Sequence, residues 1–240
     1  MKLISFALGT LHTWVKDDNM AHLLKFAKKL DIQGLEITLA TWDNVYKLKF
    51  SESYLKYLKG LEYVSIHAPF RIIRGIDDAD GIRRLLGRIE DIYETTDSKA
   101  VVIHPCDIPE PRVIRKFKFD VITETVPKAH HEYKNLKLEN VFRKYPEIGL
   151  CLDVAHSYRN SKDETEYMVK KFKKRIKQIH LSGVYRNRDH ISLRFVTKDF
   201  LKSIEPIREL DVPIIIEEGF GKNNFKSIRK EIKLVRKLLF

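Results

Sequence analysis

Short apolar runs alternate with amphipathic stretches along the whole chain. Runs at 2–8 (KLISFAL), 33–39, 62–68, 99–105, 119–125, 148–154, 176–181 and 212–217 are rich in Val, Ile and Leu. Their length fits strands, and their lack of alternation fits parallel strands buried on both faces. Helical spacing predicts helices at 19–30, 51–60, 77–95, 110–117, 135–145, 162–175, 197–210 and 225–239. Start and stop residues agree with this reading: Ser51 and Gly60 bracket the second helix, Pro111 sits in a first turn, Ser161 or Asp163 opens the sixth, and Thr197 opens the seventh.

Eight β/α units in 240 residues predict an α/β fold, a (β/α)8 TIM barrel, as one domain over 1–240. No Pro/Ser/Gly linker interrupts the alternation. A doubly wound open sheet is the alternative, but it would bring a glycine-rich phosphate turn after the first strand. Here that turn is LGTLHTW, with Gly9 alone, and no Walker motif follows.

The apolar runs end on polar residues: Glu36, His67, His104, Glu124, Asp153 with His156, His180, and Glu217 with Glu218. A charged or imidazole group at the end of a buried strand costs free energy unless it has a partner. In a barrel all C-terminal strand ends face one mouth, so these residues converge. His67, His104, Glu124, Asp153, His156, His180 and Glu217 supply four imidazoles and three carboxylates. Gathered acids repel one another, and divalent cations resolve that conflict. Mixed His and carboxylate donors suit zinc, manganese or iron(II), and seven donors are too many for one four-coordinate zinc. Glu36 stands outside this set, because a loop salt bridge explains it equally well, and Glu218 reads as a neighbour of the site or a general base.

The ordered segments HAPF, VVIHP, ITET, CLDVAH, QIHLSG and PIIIEE resemble the xylose isomerase-like TIM-barrel superfamily, and within it the endonuclease IV family of apurinic-site endonucleases. The similarity runs from strand two to strand eight. The resemblance implies a divalent-metal phosphodiesterase acting on DNA at abasic sites. It implies zinc ligands at His67 and His104, a bridging Glu124, and a second set at Asp153, His180 and Glu217. His156 and His190 would belong to a third ion. Glu124 and Glu217 are the candidate catalytic carboxylates, able to move a proton. The family's Asp-x-His after strand seven meets RDHISL here, with Arg188 where the aspartate would stand. Asp189, in an extended segment, would point away from His190. Phe70 replaces a tyrosine often found there, and the chain is shorter than typical endonucleases. The superfamily's sugar and sugar-phosphate isomerases and epimerases imply the alternative: one Mn²⁺ or similar ion on Glu124, Asp153, His180 and Glu217, with no phosphodiester cleavage.

Charge adds partners to the picture. The net charge of +12 favours polyanions such as nucleic acid, or a small sugar-phosphate substrate. Arg71, Arg186 and Arg188 follow strands three and seven and are candidate phosphate-binding residues, with Arg74 and Arg194 nearby; His12 and Trp14 could line the pocket. No run approaches the roughly 18 apolar residues of a membrane span. MKLISFALGTLH reads as a first strand ending at Gly9 rather than a signal peptide, so the expected location is cytoplasmic. Cys106 and Cys151 form no motif, and Cys151 is expected in the core.

Overall fold

The computed structural model describes residues 3–15, 20–70, 79–129, 133–186, 188–219 and 225–239, with only the backbone at 12–15. Arg71, Arg74 and the side chains of His12 and Trp14 lie outside the described residues. In chain order the elements are β1 (Ile4–Ala7), α1 (Leu8–Val15), α2 (Met20–Ala27), β2 (Gly34–Thr38), α3 (Trp42–Lys47), α4 (Glu52–Lys59), β3 (Tyr63–His67), α5 (Ala79–Thr96), β4 (Ala100–Ile103), α6 (Pro111–Ile114), β5 (Val121–Glu124), α7 (Leu138–Lys144), β6 (Gly149–Asp153), α8 (Val154–Asn160), α9 (Glu164–Phe172), β7 (Ile176–Leu181), β8 (Gly183–Tyr185), β9 (Arg188–Ile191), α10 (Lys198–Ser203), β10 (Ile214–Ile216) and α11 (Phe225–Leu239). Eight strands close in the order β1-β10-β7-β6-β5-β4-β3-β2, all parallel, as a (β/α)8 barrel. The hairpin β8–β9 stands apart from it.

The cap residues read from the sequence act as caps. Ser51 Oγ accepts from Tyr54 N and Thr197 Oγ1 from Phe200 N, each satisfying a helix-end donor. Three helices were not expected. α1 begins at Leu8, so Gly9 lies in a helix rather than at a strand end; its N–H donates to Thr38 Oγ1 at 3.0 Å, and a Cβ there would meet Thr38 Cγ2 at 2.9 Å. α3 starts with a reciprocal Thr41–Asn44 box. α8 follows β6 with no loop and is capped by Asp153 itself. The helix predicted over 197–210 breaks after Ser203 into a 3-10 turn at Glu205–Glu209. Pro206 lacks the N–H that would bond the carbonyl four residues back.

The strands are not apolar on both faces. Side chains alternate, and the outward set, such as Leu35, Ile37, Val64 and Ile66, packs with the helices in the main core. Inside the barrel the apolar set is small: Ala100, Val102, Ile122 and Cys151 form one cluster. Ala7, Tyr63 and Ile215 form another, and Glu36, Ser65, Gln178 and His180 are polar and fully buried among them. Because the polar residues of a strand fall two apart, with apolar ones between them, a reading of runs missed this polar column.

Candidate metal centre

Glu124 ends β5 and is 1% exposed. Its two oxygens face different neighbours. Oε2 lies 3.3 Å from His67 Nε2 and 3.0 Å from His104 Nε2. Oε1 lies 3.1 Å from His180 Nδ1 and 3.4 Å from His156 Nδ1. One carboxylate thus joins two groups of nitrogen donors. His180 Nδ1 is also 3.0 Å from Glu217 Oε2.

The rings are oriented from behind. His67 Nδ1 donates to Ala68 O (2.9 Å), which turns Nε2 to Glu124. His104 Nδ1 meets the Tyr133 hydroxyl at 3.1 Å. His180 Nε2 donates to Glu36 Oε2 at 3.2 Å, which leaves Nδ1 facing the mouth. Glu36 Oε2 also accepts from Ser65 Oγ (3.0 Å) and Gln178 Nε2 (2.7 Å), and Gln178 Oε1 accepts from Tyr63 OH (2.8 Å). Glu36 is therefore no loop salt bridge. It is an interior carboxylate beneath His180, in register with Ala7 and Ser65 on the adjoining strands. Tyr133 has no sequence signal at all; only the path of the chain after β5 brings it to His104.

Asp153 is both strand end and helix cap. Its Oδ1 accepts from His156 N (2.7 Å), while Oδ2 is fully buried without a hydrogen-bond partner. An unpaired buried carboxylate oxygen is costly, and a cation facing it removes the cost. That orphan, beside Glu124, His180 and Glu217, is the observation by which this donor set fits a divalent metal. Three groups of donor atoms lie within 4.8 Å of one another: His67, His104 and Glu124; Glu124, Asp153, His180 and Glu217; and His156, Asp189 and His190.

The third group corrects the expectation for RDHISL. Asp189, not Arg188, joins His156 and His190. The segment is not simply extended: His190 has φ 52°, which breaks the strict alternation that would set neighbouring side chains apart. His190 Nδ1 donates to Glu217 O (2.9 Å), and Gly219 N to His190 O (2.8 Å), tying the hairpin to the end of β10. Arg186 and Arg188 are exposed on that hairpin, with Arg186 over the Tyr185 ring, and neither lines the cavity. Arg194 is bound to Glu231 instead. Glu218 faces Glu231 rather than the mouth; burial and that neighbour push its carboxyl well up.

Burial opposes charge throughout the site; the cross-pairing wins at His67, His156 and Glu217, and burial wins at Asp153. Burial would lower His67, but its bond to Glu124 raises it to about 9. His156 rises to about 10 against burial, through Asp153 and Glu124. Burial would raise Glu217, but His180 holds it down to about 2. Asp153 goes up to about 6, because burial outweighs His156. Without metal, the imidazoles neutralise the carboxylates.

A cavity of about 430 Å³ opens over these residues, lined by His67, Phe70, His104, Glu124, Val126, Pro127, Tyr133, His156, His190 and Glu217. Phe70 is half exposed, its ring 5.4 Å from that of His67 and 5.0 Å from that of His104. No described helix is long and apolar enough to cross a membrane.

No family model and no curated protein matches the chain. Solved structures do. A D-tagatose 3-epimerase-like protein has a TM-score of 0.68 at 16% identity, covering 99% of this chain and 97% of its own. The xylose isomerase-like TIM barrel is the fold of this chain. Endonuclease IV from Thermus thermophilus gives 0.66 at 15% identity, with 99% and 98% covered. The probable 3-DHS dehydratase AsbF from Bacillus anthracis gives 0.68 at 13%, with 98% and 99% covered. Proteins of this fold and length thus carry names for several reactions, and at these identities the likeness is one of fold.

Proposed function

We propose that this xylose isomerase-like barrel is a divalent-metal-dependent phosphodiesterase that cuts the DNA backbone at abasic sites. The observation that carries the reading is the division of Glu124: one oxygen toward His67 and His104, the other toward His180 and His156. A single-ion isomerase site needs only Glu124, Asp153, His180 and Glu217. It gives no reason to aim two more buried or nearly buried histidines at the far oxygen of Glu124.

His67, His104 and Glu124 would hold one ion, and Glu124, Asp153, His180 and Glu217 a second, with Zn²⁺ the best match to the donors. Bound cations would supply Lewis acidity, neutralising the phosphate and acidifying a water. The protein's own part is orientation. Glu36 and the Ala68 carbonyl set which nitrogen of His180 and His67 faces the mouth. Glu217, partly exposed and lining the cavity, would accept a proton from an attacking water, and Glu124 would hold the two donor groups together. The net charge of +12, with Arg186 and Arg188 exposed beyond β7, favours a DNA strand.

The test is cleavage of duplex DNA carrying one abasic site, with Zn²⁺, Mn²⁺ or Co²⁺ supplied. A single nick beside the site is expected; intact substrate under all three ions refutes the reading. The second reading is a sugar or sugar-phosphate isomerase or epimerase with one Mn²⁺. The cavity of about 430 Å³, the size of a small-molecule pocket, favours it, and one exchangeable ion per chain would select it.

A further inference from the structure

The third donor group differs from the other two in its charge. Among the described residues, no lysine or arginine is paired with Glu124, Asp153 or Glu217; their charged neighbours are histidines. Asp189, the sole carboxylate of the third group, is bound at short range by Arg159 Nη1. Arg159 follows His156 by three residues on α8, so one helical turn sets its guanidinium beside the group. The pair is well shielded, with 23% and 24% of the side chains exposed. Burial pushes the Asp189 carboxyl up, but Arg159 prevails and holds it below its usual value.

The imidazoles of this group are nonetheless built as ligands. His156 Nδ1 lies 3.0 Å from Thr125 O and His190 Nδ1 2.9 Å from Glu217 O. Since a carbonyl only accepts, both rings donate from Nδ1 and keep Nε2 for another partner. With neutral rings, Arg159 cancels the one charge of Asp189, and the group is neutral. The group of Glu124, Asp153 and Glu217 carries three negative charges. A dication entering the third group must displace or face a guanidinium; one entering the second meets only acids and an imidazole.

We propose that Arg159 is a built-in cation that holds the third group in place of a metal ion, so that the chain takes two divalent ions rather than three. The inference rests on the metal-centre reading above. It makes Arg159 the residue that sets the metal count, a function of this chain's own helix α8.

Metal content tests it. Wild type, Arg159→Ala and the double variant Arg159→Ala/Asp189→Asn are dialysed to equilibrium against one free Zn²⁺ concentration, and zinc per folded chain is counted by mass spectrometry. The expected counts are two, three and two. Arg159→Gln, which keeps the length of the side chain, should also hold three, and it decides the matter if the alanine variant does not fold. Three ions in the wild type, or two in both single variants, overturns the role of Arg159 while leaving the metal centre standing. One ion or none in the wild type overturns the role of Arg159 together with the two-ion reading on which it rests.

Discussion

Replacing Glu36 by alanine should weaken metal binding at a centre that Glu36 never touches. Its carboxylate accepts from Ser65 Oγ, Gln178 Nε2 and His180 Nε2, and it is fully buried. Truncation takes this acceptor from the Ser65 hydroxyl and the His180 ring, and leaves the Gln178 amide with Cys151 Sγ and His180 Nε2 beside it. Each unmet buried donor costs about 1–3 kcal/mol, but Ser65 can rotate and water can enter the hole. We expect a net loss of about 3 kcal/mol, in line with breaking a buried charged pair and within the ~5–15 kcal/mol that domains have in hand. The barrel should fold. His180, however, loses the acceptor that keeps the proton on Nε2 and Nδ1 toward the mouth. Losing such an outer partner typically lowers metal affinity by about 10–100-fold, or roughly 1.4–2.7 kcal/mol. The assay is competition for Zn²⁺ against a chromophoric chelator, alongside urea unfolding of the metal-free protein and nitrogen NMR of the His180 ring. Glu36→Gln, whose amide oxygen can still accept from His180, should recover most of the affinity. A folded Glu36→Ala protein that binds zinc within about twofold of wild type, with its His180 tautomer unchanged, would refute the argument.

Two other outcomes test the site. Asp153→Ala should abolish the second ion without unfolding the barrel: the lost cap on His156 N costs about 1 kcal/mol, and the relief of a buried orphan oxygen offsets it. Retained metal in that variant would mean that the centre lies elsewhere. In metal-free protein, His67 and His156 have pKa values raised to about 9 and about 10, against 6.5 ordinarily. Groups raised in the folded state stabilise it fully below the unfolded value and lose that contribution as pH passes the folded one. Melting temperature in chelator should therefore fall between pH 6.5 and about 10, and Zn²⁺ should restore it, since metal needs the neutral rings. Thermal scans check this. A flat profile, or a fall that persists unchanged in His67→Gln, would contradict it.

The barrel was legible because its outer face is simple. Each strand carries a run of Val, Ile and Leu against the helices, and each main helix has an apolar stripe and often a cap such as Ser51 or Thr197. α3 and α8 escaped because they begin at residues already assigned to a loop or a strand end. Seven ligand-type residues could be named because strand ends in a closed parallel barrel share one mouth, whatever the loops do.

What the tertiary structure alone decided is how those residues meet. Residue order says that Glu124 and His180 are near the mouth; only the register of β5, β6 and β7 sends one oxygen of Glu124 to each donor group. A loop salt bridge explained Glu36 equally well in the sequence because its partners, Ser65 and Gln178, lie 29 and 142 residues away. Asp189 was placed pointing away from His190 by the rule for extended chains, and the positive φ of His190 reversed that. The pairing of Asp189 with Arg159, across thirty residues, had no local signature. Periodicity is a local property and writes itself into sequence. The charge balance of a site depends on contacts between distant elements, and those exist only once the barrel has closed.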